Sequence, residues 1–148
     1  MAATSADLNL GLLLFIPYRA LENRVMADLA AAGFDDVTLA QARVFQRIAP
    51  GGSRLTDLAE QAQITKQSAG FLVDQLEAAG YVTRGPVPSD GRARLVVVAE
   101  RGARAVSASV GTVAAVEDEW RRHLGERGFT RLRSLLAELR EITDPYDG

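Results

Sequence analysis

Lys66, Gln67 and Ser68 stand directly after Thr65, whose hydroxyl is placed to accept from the first free amides of a helix. A cation and two short or flexible hydrogen-bonding groups at a helix N-terminus, where the dipole favours negative charge, suit phosphates and base edges. That is recognition chemistry, with no bond made or broken. Further along, Arg84, Arg92 and Arg94 surround Gly85-Pro-Val-Pro-Ser-Asp-Gly-Arg92, a turn-rich run between two β-rich ones. An arginine at such a hairpin tip fits a minor groove, where narrow A·T segments concentrate negative potential. Residues 81–104 carry five arginines against Asp90 and Glu100, net +3, so that a chain of net charge −2 holds −5 elsewhere. Bulk electrostatics thus give no affinity for nucleic acid, and any binding must come from a local patch.

Other chemistries lack their residues. There is no cysteine, which excludes disulfides, thiolate metal sites and thiol-based sensing. His123 is the one histidine. It stands at i, i+4 from Glu119, a spacing that places two ligands on one metal, but no third ligand is evident and Glu117-Asp118-Glu119 reads as a solvated acidic face. Without a cysteine nucleophile, a glycine-rich phosphate loop or a histidine-based constellation, no catalytic residue, cofactor or metal is expected. The apolar run Leu10–Ile16 is far shorter than the ~20 residues of a spanning helix, is followed by Pro17 and Arg19, and has Asp7 ahead of it. The expectation is a soluble, cytoplasmic protein with no membrane partner.

The elements that must position these residues follow from periodicity and punctuation. Leu8, Leu12, Phe15, Leu21, Val25 and Leu29 recur at helical spacing up to a stop at Gly33, with Pro17 predicting a kink or a late start near Ile16. Thr38 and Gln41 have the spacing of a capping box for a second helix through Ile48, ended by Pro50-Gly51-Gly52. Thr56 is expected to cap a short helix to Ala62, and Thr65 a further one from Lys66 to Ala79 with Gly80 as its left-handed stop. On that last helix Ala69, Leu72, Val73, Leu76 and Ala79 share the packing face, opposite Gln67, Gly70, Phe71, Asp74 and Ala78. A hairpin follows, then a long helix to about Leu124, a break at Gly128 and a final amphipathic helix from Phe129 to Ile142. The fold class is mainly α with a small β-hairpin, a winged helix-turn-helix at residues 37–99 flanked by N-terminal (1–36) and C-terminal (100–148) dimerisation helices.

Leu58-Ala59-Glu60, Ile64-Thr65-Lys66-Gln67-Ser68, Leu72-Val73-Asp74-Gln75-Leu76-Glu77, Gly80-Tyr81-Val82, Asp90-Gly91-Arg92-Ala93-Arg94-Leu95 and Glu100-Arg101-Gly102 together resemble the MarR family of bacterial winged-helix regulators. The resemblance covers most of the chain, six helices and the hairpin included. It implies a homodimer with interlocked terminal helices, the Lys66–Ala79 helix in the major groove and the wing on the minor groove. It also implies that Asp90 braces the wing and Arg92 contacts DNA. Two departures stand out: Gly70-Phe71 replaces a common Ser-Arg, removing an arginine contact, and Ala99 stands where a threonine commonly caps the next helix.

The candidate DNA-binding residues are therefore Thr65, Lys66, Gln67, Ser68, Gly70, Phe71, Arg84, Asp90, Arg92 and Arg94. Phe71 reads either as local packing, the favoured alternative, or as an exposed reader of a thymine methyl group. Phe15, Tyr18, Arg19 and Trp120 read either as core positions or, by the resemblance, as the lining of an effector cavity between the dimer helices and the reading head. The function this predicts is a dimeric regulator on a pseudo-palindromic double-stranded DNA operator, a repressor released by a small-molecule effector. The alternative is a winged-helix module that contacts protein, for which arginines beside Lys66 have no use.

Overall fold

Side-chain caps set where the first helices begin. The computed structural model describes residues 3–87 and 90–146, with the side chains of residues 87 and 90–93 outside the described set. Helix α1 (Leu10–Ala31) starts at Asn9, whose side chain accepts from the Leu12 amide at 2.9 Å. It runs on through Pro17, so the expected late start near Ile16 is corrected: a good cap upstream outweighs one missing intrahelical hydrogen bond. Thr38 and Gln41 form the predicted capping box of α2 (Leu39–Phe45), which ends earlier than periodicity suggested. Helix α3 (Leu55–Ala62) begins one residue before Thr56, with Arg54 at the cap position and no side-chain cap bond, so Thr56 is not the cap. Helix α4 (Lys66–Ala78) is capped by Thr65 as predicted, and Gly80 has the left-handed φ of +86° expected after it.

Strands β1 (Val82–Val87) and β2 (Asp90–Val98) pair antiparallel from Val82 opposite Val98 to Pro86 opposite Arg94, with the register shifting before Val87. Ser53 adds a third rung on the inner edge through mutual backbone bonds with Val96 at 2.9 and 2.8 Å. Gly52 makes that approach possible: at φ +99° a Cβ would lie 3.1 Å from the Val97 side chain and 3.2 Å from the Val96 carbonyl. Leu58, Val44, Val73, Leu76, Tyr81, Val82 and Val96 close the core beneath the sheet, each essentially inaccessible to solvent.

Helix α5 (Glu100–Thr143) starts without a side-chain cap at Ala99. The missing threonine does not displace the start, because the Ala99 amide bonds the Tyr81 carbonyl at 2.9 Å and fixes the junction through the backbone. The break in the C-terminal helical run is at Gly125 (φ +79°, ψ 161°), which divides it into arms 100–124 and 126–143. Gly128, where the break was expected, is helical; its missing side chain instead lets the arm pass close to Leu124, 3.2 Å from where a Cβ would be. Counted as separate helices, the two arms bring the α-helices among the described residues to the six expected, with the break three residues earlier than Gly128. Arm 100–124 lies along α1 through a Thr112 hydroxyl donating to Asp28 at 2.6 Å and an Arg24–Glu119 ion pair at 3.0 Å. Among the described residues no helix is long and apolar enough to cross a membrane.

Candidate nucleic-acid interface and internal cavity

Helix α4 presents one face to the core and one to solvent. Ala69, Val73 and Leu76 are buried, while Lys66, Gln67, Ser68, Phe71, Asp74 and Gln75 are exposed. The Thr65 hydroxyl is committed to the helix, accepting from the Ser68 amide at 3.0 Å and donating to the Ser68 hydroxyl at 2.9 Å. Its contribution is to aim the start of α4, where Lys66, Gln67 and the Ser68 hydroxyl proton face solvent. Gly70 is half-buried and Phe71 is 63% exposed, which corrects the preference for local packing: the core under α4 is already filled by Leu58, Val73 and Leu76.

Arg84 is drawn onto α4. It bonds Asp74 at 2.7 Å and Glu77 at 2.8 Å, so it ties β1 to the helix and offsets one of the two carboxylate charges there. Arg94 is exposed on β2 beyond the last buried position, Val96. The side chains of Asp90 and Arg92 lie outside the described residues.

The head meets the arms at a cluster around Arg101, a residue whose role had no short-range signal in the sequence. Its guanidinium bonds Asp36 at 2.9 and 3.1 Å and the Ala79 carbonyl at 2.6 Å, and lies 4.4 Å from the centre of the Tyr81 ring. The Tyr81 hydroxyl donates to the same Asp36 carboxylate. Burial, then the facing carboxylate, pushes the Tyr81 phenol up to about 12. Hydrogen bonds from Tyr81 and Arg101 hold Asp36 below the usual carboxylate range. One residue on, Gly102 allows α5 to touch the sheet: a Cβ there would lie 2.3 Å from the Tyr81 carbonyl oxygen.

Above this junction α1, α2, α4 and α5 enclose a mostly apolar cavity of about 230 Å³. Leu21, Val25, Phe45 and Val106 are among its walls, and Tyr18, Glu22, Arg43 and Gln46 supply polar groups. Arg43 clamps Glu22 with two bonds of 3.0 Å, which holds the Glu22 carboxyl below its usual range, while burial raises the Tyr18 phenol. Of the four expected lining residues only Tyr18 is there. Phe15 is exposed, Arg19 stacks over the Phe15 ring at 5.7 Å, and Trp120 is half-buried on α5; none of the three borders the cavity. Phe15 and Trp120 lie beyond the ends of the lining on α1 and α5, whereas Arg19, between the lining residues Tyr18 and Leu21, stands on another face of α1. Glu22 and Arg43 were missed because their pairing joins different helices, and no local spacing announces it. Glu119 of the Glu119–His123 pair is bound to Arg24 instead.

Residues 35–93, which span α2, α3, α4, β1 and the start of β2, match the model of the MarR family. The match takes in less than half of the chain. Over its length it is also similar to solved MarR-type structures. The structure of MarR is 22% identical with a TM-score of 0.79, covering 96% of this chain and 95% of that one. NadR in complex with 4-hydroxyphenylacetate is 27% identical with a TM-score of 0.69, covering 96% and 99%. The transcriptional repressor CouR bound to a 23-mer DNA duplex is 23% identical with a TM-score of 0.70, covering 94% and 97%. No curated protein sequence matches the chain. In the MarR-type head, α3 and α4 form the helix-turn-helix and β1 and β2 the wing.

Proposed function

We propose that the chain is a dimeric, sequence-specific DNA-binding transcriptional regulator, a repressor that a small-molecule effector releases. The observation that carries this reading is the outer face of α4. Lys66 and Gln67 stand exposed at a capped helix N-terminus beside an arginine-bearing wing, in a chain that is otherwise acidic. Lys66 and the α4 dipole meet phosphate, Gln67 reads a base edge, and Arg92 and Arg94 follow the backbone or the minor groove.

Two heads are needed for a palindrome, and the arms supply the means to join them. Leu10, Leu12, Leu13, Phe15 and Ile16 on α1 and Leu135, Leu136, Leu139 and Ile142 on arm 126–143 are all exposed in the single chain. So much apolar surface is covered by a second copy, which would bring Phe15 into an interface. The two copies of α4 then enter successive major-groove faces about one helical turn apart. The cavity lies where a guest changes that spacing, between α1 and α5 of the arms and α2 and α4 of the head. A ligand that fits better when the heads are misplaced shifts the population away from DNA. The NadR and CouR structures, one holding a small aromatic acid and the other a DNA duplex, support both halves of the reading.

The test is selection of bound fragments from a genomic DNA pool by the purified full chain. An enriched inverted repeat is expected; no enrichment would favour the protein-binding module.

A further inference from the structure

The outer face of α4 carries two residues that the fold does not require. Phe71 exposes 63% of its surface although the core beneath the helix is complete without it. Gly70 sits inside the helix, where glycine is destabilising relative to alanine, yet a Cβ there would meet only the Leu55 side chain at 3.6 Å, an ordinary contact. The two are adjacent. With Gln67, Ser68 and Asp74 they line a shallow open cleft on the solvent side of the helix. Asp74 shares Arg84 with Glu77, at 2.7 and 2.8 Å, so one of the two carboxylate charges beside the cleft is offset. The cleft is therefore an aromatic ring beside bare backbone, with a hydrogen-bonding amide one turn before it. In the major groove of B-DNA the apolar group on offer is the 5-methyl of thymine, and an exposed phenylalanine on the entering helix is a fitting partner for it.

We propose that Phe71 reads a thymine 5-methyl group, with Gly70 leaving room for the base to approach the helix. This rests on the DNA-reading function above and names the chemistry by which α4 chooses sequence. Arg84, shared between Asp74 and Glu77, lessens the repulsion between this face and the duplex.

The experiment takes a duplex enriched by the wild-type chain and replaces each thymine singly with deoxyuridine, which deletes the methyl and leaves both hydrogen-bonding edges unchanged. Binding is measured by fluorescence anisotropy for wild type and Phe71→Ala. At one thymine in each half-site the replacement is expected to weaken wild-type binding about 4-fold, the factor for one buried methyl group. The same replacement should leave Phe71→Ala unaffected, so that the double change costs no more than Phe71→Ala alone. If no thymine is sensitive, or if the two losses multiply independently, Phe71 does not read a methyl group, while DNA reading by the chain stands. If the wild-type chain enriches no duplex at all, both fall together.

Discussion

The head and the arms of this molecule solve the problem of apolar surface in opposite ways. In the head, three short helices and a hairpin bury Val44, Leu58, Val73, Leu76, Tyr81, Val82 and Val96 completely within one chain. In the arms, Val116 and Phe129 are buried but Leu135, Leu136, Leu139 and Ile142 face solvent, Ile142 with 83% of its surface exposed. One region is finished by its own sequence and the other leaves an apolar face uncovered. The Arg101–Asp36–Tyr81 cluster and Gly102 lie where they meet and seat α5 on the head.

The strongest way to break this contrast is to charge the arm face. Leu135→Glu with Leu139→Glu should convert a dimer to a monomer by sedimentation velocity, leave the helical circular dichroism of the chain largely intact, and lower operator affinity by about 10²-fold or more through loss of bivalency. A dimer that persists would show that α1 alone joins the copies. Next in size is Gly102→Ala. Forcing a Cβ against the Tyr81 carbonyl should cost about 1–3 kcal/mol in chemical denaturation, whereas a silent substitution would mean that α5 is not rigidly seated on the head.

The same junction has a pH signature. Because the Tyr81 phenol is raised to about 12 from an ordinary 10, the folded state holds its proton more tightly than the unfolded state does. Its contribution is full below about pH 10 and is lost as the pH rises towards about 12. Wild type should lose stability over that window more steeply than Tyr81→Phe, as read by urea midpoints; parallel profiles would remove the phenol from the junction. A smaller effect concerns DNA alone: Arg92→Ala should weaken all duplexes similarly and reduce the salt slope by about one phosphate contact. The smallest is at the C-terminal end, where the Tyr146 hydroxyl bonds the Gln63 side chain and the Glu60 carbonyl, each at 3.1 Å, and so touches the turn of the helix-turn-helix. Tyr146→Phe should cost no more than about 1 kcal/mol and speed amide exchange around Gln63, a left-handed residue at φ +57°.

Local signals carried much of this into the sequence. Thr38 with Gln41, Thr65 before Lys66, and Gly80 after α4 each announce a cap that the structure forms, because capping involves residues a few positions apart. What was hidden depends on contacts between distant segments. Arg84 was legible as a cation near a wing but not as the partner of Asp74 and Glu77, and the Glu22–Arg43 clamp joins α1 to α2. Gly125 and Gly128 are both glycines in one helical run, and no local pattern distinguishes the first, which breaks it, from the second, which stays helical.

The central claim is that two self-sufficient heads, joined by arms that are not, read one palindrome. Native mass spectrometry of the wild-type chain with its selected duplex tests this most directly. Two chains per duplex are predicted, with the charged-arm variant giving at most weak one-to-one binding. A single wild-type chain saturating the duplex, or no complex at all, would contradict it.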